Sequence, residues 1–320
     1  IMIRIATKND TTYIKSTWST CFDDTEKFVD WNFSRNYSPE NTVVMDINGI
    51  IPSNMQIIPY LIQVGGFSYN AGYVSGLATM PHFRGRGYAR DLFGYAFPLM
   101  LSRNMDISIL IPFNFDFYER FGYTCCYDKP KLSCEIPEKD IPRLPHNMHN
   151  IPILNEIYMR EMSSKNGYVL RSKKDWELIL SDLFENSNGD VYIHTSDNGS
   201  IDGYAIYANK KPYEICGKPP FSIVESTPKP FAMARILNVK SVLKNLSKSY
   251  NGDIRIKILD EQIESNNLIL RIFNKTITIS DDFDIEVDIK TLTQSIMGYA
   301  SGTENYSLFK NTNNYVNLLL

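Results

Sequence analysis

One stretch of the chain, from Tyr73 to Arg90, constrains the fold more than any other. It begins as an apolar, β-prone run, continues as the turn Arg84-Gly85-Arg86-Gly87, and passes into a helix-like run at about Tyr88. A strand, a basic glycine turn and a helix start together form the geometry that holds a pyrophosphate, because inward main-chain N–H groups and a helix N-terminus both favour an anion. Glycine allows close approach of the backbone to the phosphate. The arginines at positions 84, 86 and 90 can add charge-assisted hydrogen bonds.

Other phosphate-binding motifs do not fit the residues of this turn. A Walker loop requires Gly-Lys-Ser/Thr, which does not follow, and a dinucleotide fingerprint requires a third glycine where Arg90 stands. An arginine- and glycine-rich RNA-binding tail would be repetitive, whereas apolar runs flank this turn. A surface turn with solvated arginines stays open as the alternative. The strand before the turn and the amphipathic helix after it favour the anion site.

Composition indicates a globular protein with more than one domain. A chain of 320 residues has room for two or three small domains, and 43% hydrophobic with 22% charged residues is typical of globular proteins. No run of about eighteen apolar residues occurs, so no membrane-spanning helix is expected. The first residues lack the plan of a signal peptide. The net charge of −3 argues against a nucleic-acid binder and suits a cationic acceptor such as an amine.

The cysteine count gives an expectation about the compartment. Five cysteines is an odd number, and Cys125 and Cys126 are adjacent. Without a signal peptide this pattern predicts free thiols in the cytoplasm rather than disulfides. A catalytic cysteine would need a histidine close by, and the chain has only four histidines. We expect neither a catalytic cysteine nor a metal cofactor.

The order of predicted elements gives an α/β domain that ends at about residue 145. Strand-like and helix-like runs alternate through this part, and Lys131 to Ile136 is predicted to continue the same sheet. Pro98 lies inside an apolar helical pattern and is predicted to kink or end that helix. The segment Asn48 to Asn54 is predicted as a turn, and Lys210 to Pro230, with five prolines, as irregular structure.

The remainder of the chain predicts two further units. Residues 146–228 carry two helix-like runs and strands around an Asp197-Asn198-Gly199 turn, but no arginine and glycine loop, so this unit is predicted to be non-catalytic. Residues 229–320 carry several strands of alternating apolar residues and a last helix. The predicted domains are therefore 1–145, 146–228 and 229–320.

Three segments carry a resemblance to a known family. Arg84 to Ala89 match the acetyl-coenzyme A signature Arg/Gln-x-x-Gly-x-Gly/Ala of the GNAT N-acetyltransferases. Ile109 to Tyr123 contains Phe-Tyr-x-x-Phe-Gly-Tyr and is similar to the segment that closes the GNAT core of Eis-like (enhanced intracellular survival) acetyltransferases. Phe231 to Val239 resembles the start of the sterol-carrier-like domain that ends those proteins. The resemblance implies an α/β (α+β) protein with tandem GNAT folds, the second degenerate, followed by a sterol-carrier-like domain.

The resemblance implies a site for acetyl-CoA. Main-chain N–H groups at the end of the strand before the loop would polarise the thioester carbonyl, and the loop would hold the diphosphate. The coenzyme-binding residues are then Leu77, Ala78, Thr79, Arg84, Gly85, Arg86, Gly87, Tyr88, Ala89, Arg90, Phe113 and Asn114.

The same resemblance implies the catalytic groups. Tyr118, the first tyrosine of Phe-Tyr-x-x-Phe-Gly-Tyr, would be the general acid that protonates the leaving thiolate. The general base would be the terminal carboxylate, here that of Leu320, where the family usually has an aromatic residue. For the acceptor we expect Phe22, Asp24 and Trp31, two aromatic walls and one carboxylate that attracts an ammonium group. Core packing is the alternative for Tyr118 and for these three residues.

The function implied is transfer of an acetyl group from acetyl-CoA to a primary amine, in an aminoglycoside, a polyamine or a lysine-like acceptor. The family resemblance also implies a homo-oligomer, a hexamer in many members. Two alternatives stay open. One is a long-chain acyltransferase of the N-myristoyltransferase type, which also uses tandem GNAT units. The other is a non-enzymatic acyl-CoA-binding scaffold, against which the loop arginines and Tyr118 argue.

Overall fold

The computed structural model describes residues 1–135 and 140–299. In chain order the strands are β1 (Met2–Ile5), β2 (Thr42–Ile47), β3 (Ile50–Val64), β4 (Phe67–Thr79), β5 (Ile107–Leu110), β6 (Thr124–Lys129), β7 (Leu132–Ser133), β8 (Tyr168–Val169), β9 (Asp190–Thr195), β10 (Ile201–Ala208), β11 (Lys211–Gly217), β12 (Val224–Glu225), β13 (Lys229–Ile236), β14 (Asp253–Leu259), β15 (Ile269–Phe273), β16 (Thr276–Ile279) and β17 (Ile285–Asp288). The α-helices are α1 (Thr11–Cys21), α2 (Glu26–Arg35), α3 (Tyr88–Ser102), α4 (Phe115–Glu119), α5 (Ile151–Met162), α6 (Lys173–Glu185), α7 (Val239–Leu246) and α8 (Ile289–Met297).

The first unit is organised by a mixed eight-stranded sheet. Its strand order is β1-β2-β3-β4-β5-β13-β6, and β8 pairs with β3. Neighbouring strands are antiparallel except β4 and β5, which are parallel. A parallel pair needs a crossover connection, and α3 supplies it. This β-α-β connection places the arginine and glycine turn at the carboxyl end of β4.

Helix α3 packs its predicted apolar face against the sheet. Leu92, Phe93, Ala96 and Met100 are fully buried, as the helical spacing predicts. The part of the prediction in which Pro98 ends the helix is wrong, because α3 continues to Ser102, and the kink stays a prediction. The reason lies on the solvent side. Proline removes the hydrogen bond to the carbonyl four residues earlier, and that residue is an exposed glycine, so water can satisfy the carbonyl.

Strand β13 comes from far along the chain and lies between β5 and β6. Its Arg235 is fully buried, forms a bidentate ion pair with Asp260 at 2.7 Å, and donates to the carbonyl of Phe121. Gly122, with φ of +78°, lies directly beside this guanidinium, since a Cβ there would be 1.8 Å from Nη1 of Arg235. The third unit thus fixes the turn that follows α4.

The N-terminal strand is anchored by a smaller ionic network. Arg4 contacts Asp10 at 2.7 Å and Asp46 at 2.8 Å, which ties β1 to β2 and to the start of α1. The hydrogen bonds from Arg4 lower the pKa of Asp10 to about 2. Asp10 also accepts from the main-chain N–H of Thr7 at 2.7 Å. The carboxylate is therefore charged in the folded state at neutral pH.

The second and third units have their own sheets. In the second, α5 and α6 pack against the sheet β11-β10-β9, and Trp176 lies fully buried in that core. Helix α6 begins with a capping box in which Ser172 and Asp175 satisfy each other's main-chain N–H groups. In the third, α7 and α8 pack with the sheet β16-β15-β14-β17. The alternating apolar residues of these strands face the core as predicted, except Ile279, which is exposed.

Three further expectations for local structure are wrong. Strand β3 already begins at Ile50, so the predicted turn is limited to the residues just before it. Leu132–Ser133 does not continue the first sheet but pairs with β12; Ile136 lies outside the described residues. The region predicted as irregular contains β11, whose Pro212 lies opposite Tyr207 at a break in register. Within the described residues no helix is long and apolar enough to cross a membrane.

Candidate active site

A cavity of ≈ 920 Å³ lies where β4 ends and α3 begins. The structure brings eleven of the twelve predicted coenzyme-binding residues into its lining, all except Asn114. They are Leu77, Ala78, Thr79, Arg84, Gly85, Arg86, Gly87, Tyr88, Ala89, Arg90 and Phe113. We call this space the coenzyme cavity. It is formed by a strand end, a turn, a helix N-terminus and the loop after β5.

The two parallel strands separate at this cavity. Strand β4 pairs with β5 only from Ala71 to Tyr73, and no pairing between them is recorded further along β4 in the described chain. A bulge accompanies the separation, because Gly76 has φ of +55° at a break in the register with β3. A Cβ at Gly76 would lie 2.5 Å from the Trp18 ring, so both the backbone angle and the contact require glycine. The edge of β4 from Leu77 to Thr79 is left open toward the cavity.

The turn before α3 offers unpaired main-chain donors. The N–H groups from Gly85 to Arg90 donate to no described residue, whereas that of Asp91 donates to Gly87 at 3.2 Å. Gly87 is the N-cap of α3 in the left-handed conformation, with φ of +83°. Consecutive free N–H groups at a helix N-terminus form an anion site. The residues present therefore fit the diphosphate of an acyl-coenzyme A.

The three arginines of the turn play different parts in the structure. Arg84 donates to the carbonyl of Thr79 at 3.0 Å, so it braces the end of β4. Arg86 donates to the main-chain carbonyl of His82 at 3.2 Å and lies over the Phe83 ring. Arg90 is exposed, with a weak contact to its neighbour Asp91. All three line the coenzyme cavity.

Tyr118 lies on α4 at the same end of the sheet. Its ring is buried against Phe93, Phe113, Phe117 and Tyr123. Its hydroxyl makes no hydrogen bond to any described residue. Burial, together with the nearby Tyr73 hydroxyl, raises the pKa of Tyr118 well above its usual value. The phenol therefore keeps its proton at neutral pH, which is the state that a general acid needs.

Asn114 and the aromatic residue before it differ in their surroundings. Asn114 caps α4, with its side-chain oxygen accepting from the N–H of Phe117 at 2.9 Å. It does not line the coenzyme cavity. Phe113 is 74% exposed at the cavity wall. Asn114 thus positions the helix that carries Tyr118, while Phe113 offers an open ring surface to a bound molecule.

A second cavity of ≈ 660 Å³ lies between the first and second units. We call it the acceptor cavity. Phe22 lines both cavities, and Asp24 lines this one. Strand β4 connects the two cavities, because Tyr73, Ser75 and Gly76 line the acceptor cavity and the next three residues line the coenzyme cavity.

Three predicted residues that the structure describes line neither cavity: Asn114, Tyr118 and Trp31. Trp31 is buried between the units, where its indole N–H donates to Ser181 at 3.2 Å. Phe28, which stacks on Trp31, lines the acceptor cavity in its place. Leu320 lies outside the described residues. The structure therefore places Trp31 in the contact between units.

Several lining residues were missed by the sequence reasoning. In the coenzyme cavity these are Cys21, Phe83, Phe117, Arg120, Phe121 and Gln262; in the acceptor cavity they include Gln56, Tyr73, Asn32 and Asp182. The helical spacing of Asn32 from Phe28 could have placed both on one face of α2. No local signal could have found Gln262 or Asp182, because they lie far along the chain. Within residues 1–135 and 140–299 no cluster of three or more metal-ligating side chains occurs.

Comparison with known proteins gives a match in the same region. Residues 2–126 match the family model described as an acetyltransferase (GNAT) domain. A GCN5-related N-acetyltransferase from Anabaena variabilis is 17% identical over 98% of this chain and 96% of that chain, with a TM-score of 0.77. Eis1 from Mycobacterium abscessus is 13% identical over 94% and 90%, with a TM-score of 0.73. No curated protein sequence matches the chain.

A third similar structure is a probable N-acyltransferase from Enterococcus faecalis, 17% identical over 94% of this chain and 90% of that chain, with a TM-score of 0.75. At these identities the likeness shows the fold. Together with the family match it defines the class of protein: an acyltransferase enzyme with the GNAT fold. The predicted α/β class with a GNAT fold is confirmed.

Proposed function

We propose that this protein is an Eis-like N-acetyltransferase that transfers an acetyl group from acetyl-CoA directly to a primary amine. The observation that carries the proposal is the shared strand β4. Its residues Tyr73, Ser75 and Gly76 line the acceptor cavity, and Leu77 to Thr79 line the coenzyme cavity. Two substrates bound at once would therefore meet along a single strand. Holding the reacting groups side by side supplies much of the rate in such a reaction.

The roles of the residues follow from their positions. Acetyl-CoA would supply the acetyl group as a thioester. The free N–H groups from Gly85 to Arg90 would hold its diphosphate, and the open edge of Leu77–Thr79 would align the pantetheine arm and polarise the carbonyl. Tyr118 would donate its proton to the departing sulfur as the new carbon–nitrogen bond forms. Asn114 would act through Tyr118, as a positioning residue. The carboxylate of Leu320 stays a prediction for the base.

The Eis-like type is proposed from three supports. The Phe-Tyr-x-x-Phe-Gly-Tyr segment places Tyr118 on α4 beside the coenzyme cavity. The M. abscessus Eis1 fold extends over most of both chains. The insertion of β13 into the first sheet joins the third unit to the catalytic one. The aminoglycoside or lysine-like acceptor, the hexamer, the cytoplasmic location and the sterol-carrier-like nature of the third unit remain predictions from the resemblance.

The proposal is tested by thiol release. Acetyl-CoA and myristoyl-CoA are each supplied as donor with polyamines, aminoglycosides and lysine peptides as acceptors. We expect turnover with acetyl-CoA on at least one amine and none with the long-chain donor. Turnover with myristoyl-CoA alone would support the N-myristoyltransferase alternative. Tight coenzyme binding without turnover on any amine would support the scaffold alternative.

A further inference from the structure

The acceptor cavity is built by two units of the chain. Helices α1 and α2 and strands β3 and β4 form one wall, and helix α6 with strand β10 forms the opposite one. The second unit has no arginine and glycine loop, so it cannot hold a coenzyme in the way that the first unit does. The second unit instead forms part of the wall of the acceptor cavity. The residues it supplies include Ile179, Asp182, Leu183, Asn186, Ile206 and Asn209.

Specific contacts between α2 and α6 fix the position of the two cavity walls relative to each other. The indole N–H of Trp31 donates to Ser181 inside this contact, and Arg35 pairs with Glu185 at 2.7 Å at its edge. Trp31 and Ser181 are both buried. The cavity between the helices is therefore a fixed part of the fold.

Two carboxylates from opposite walls belong to this cavity. Asp24 accepts from the indole N–H of Trp18 at 2.9 Å, and Asp182 accepts from Asn186 at 2.8 Å. Burial raises the pKa of Asp182, and the nearby charge of Asp24 raises it further. Within the described residues neither carboxylate forms an ion pair. Lys129 also lines this cavity, but since neither acid forms an ion pair, the two carboxylates leave room for a cationic group of a bound molecule.

Buried amides of the same lining are also left without partners. Asn32 and Gln56 are each 3% exposed, and the side-chain N–H groups of both donate to no described residue. Asn32 has its oxygen engaged, because Asn36 donates to it at 3.0 Å. An unpaired buried donor costs about 1–3 kcal/mol, which a bound acceptor atom would recover. Oxygen atoms on a bound ligand would serve as acceptors for these two donors.

We infer that the second unit completes the acceptor site: Asp182 and Asp24 hold an ammonium group, while Asn32 and Gln56 donate to an oxygen of the same molecule. The inference rests on the proposed function and narrows the class of amines that would serve as acceptor. An amine that carries hydroxyl or carbonyl oxygens satisfies all four side chains. A plain alkyl polyamine satisfies the carboxylates and leaves the two amides unpaired. Asp182, Asn32 and Gln56 are thus specificity-determining residues.

The first experiment measures the preference for oxygen with matched acceptor pairs. The pairs are 1,3-diamino-2-propanol with 1,3-diaminopropane, and lysinamide with cadaverine. Within each pair we divide kcat/KM for the acceptor that carries oxygen by kcat/KM for the acceptor that lacks it. This ratio is then compared between wild type and Gln56→Met. Because intrinsic amine reactivity cancels between enzymes, we expect the ratio to fall about fivefold or more in the variant, the loss of one hydrogen bond. Gln63→Met is the control, because Gln63 lies on the same strand outside the cavity.

A second variant tests the same preference in case Gln56→Met does not fold. Asn32→Leu removes the other unpaired donor, and its ratio should fall in the same direction. The charge is tested by Asp182→Asn, which should raise KM for the amine about tenfold or more and leave KM for acetyl-CoA unchanged. Glu177→Gln is its control, since Glu177 lies on the same helix and pairs with Lys173 outside the cavity.

The outcomes separate the inference from the proposed function. Amine acetylation whose oxygen preference is the same in wild type, Gln56→Met and Asn32→Leu would overturn the inference and leave the proposed function standing. An unchanged amine KM in Asp182→Asn would remove the second unit from the acceptor site. Absence of acetyl transfer to every amine tested would overturn both.

Discussion

Replacing Tyr118 by phenylalanine removes one hydroxyl and leaves the aromatic packing in place. The ring stays between Phe93, Phe117 and Tyr123, because phenylalanine has the same shape. The hydroxyl makes no hydrogen bond to a described residue, so its loss leaves no partner unpaired. We therefore expect the free energy of unfolding to change by less than about 0.5 kcal/mol. For a protein of this size the melting temperature should move by less than about 2 °C.

The effect on the reaction should be large. A positioned general acid contributes about 10²- to 10⁴-fold, so kcat for the Tyr118→Phe variant should fall by about that factor. The Kd of coenzyme A should stay unchanged, because the proposed diphosphate site lies on the turn before α3. Burial raises the pKa of Tyr118 above its usual value, so the wild-type rate should not decline below about pH 10 through loss of this proton.

Tyr123→Phe is the matched control, with the opposite expectation. Tyr123 is fully buried and its hydroxyl bonds to Ser108 at 2.6 Å. Its loss should cost about 1 kcal/mol of stability and leave kcat within about threefold of wild type. The measurements are steady-state thiol release, coenzyme A calorimetry and thermal unfolding for both variants. Full activity in Tyr118→Phe would refute the assignment of the acid, and a large loss of its stability would show that Tyr118 is a structural residue.

Three further predictions concern the backbone and the ionic contacts. Gly87→Ala should raise the Kd of coenzyme A several-fold, because φ at this position is +83°. Gly94→Ala is the control: it lies in open space on the same helix, so it should leave the Kd unchanged and raise the free energy of unfolding by about 1 kcal/mol. Calorimetry measures the Kd, and urea unfolding measures the stability. Gly122→Ala should destabilise the protein by about 3 kcal/mol or more in urea unfolding, because its Cβ would displace the buried guanidinium of Arg235; a loss below about 1 kcal/mol would contradict this. Asp10→Asn should cost about 2 kcal/mol at pH 7 and remove the stability that wild type loses as pH falls from about 4 to 2, because the folded-state pKa is depressed; identical acid unfolding curves for the two proteins would contradict it.

Local sequence was sufficient for the elements with strong periodic or turn signals. The spacing of apolar residues predicted α3, and the glycine turn predicted its start at Tyr88. Local sequence was insufficient where water satisfies a group that a local rule counts as unpaired, or where pairing with another strand decides the structure. Pro98 does not end α3 because the carbonyl it leaves unpaired faces water. Pro212 lies within β11 because the register with β10 breaks there.

The proposed acceptor site shows where local sequence was insufficient for a site. Phe22 and Asp24 could be proposed from one short segment rich in aromatic and acidic residues, and both line the cavity. Trp31 comes from the same segment, yet it packs against the second unit. Which aromatic residue of a helix faces a cavity depends on the element that docks beside it, and that element, α6, is separated from α2 by more than a hundred residues.

The sequence by itself determined the arginine and glycine turn before α3 and the short helix that carries Tyr118. Both are local: glycines that tolerate positive φ, free N–H groups at a helix start, and a short helix capped by Asn114 need only neighbouring residues. Tertiary structure alone decided that β13 enters the first sheet and that Asp182 faces Asp24 across one cavity. Those contacts depend on how separate units pack, because burial of apolar surface has no direction and leaves the choice of partner to the shape of the whole chain.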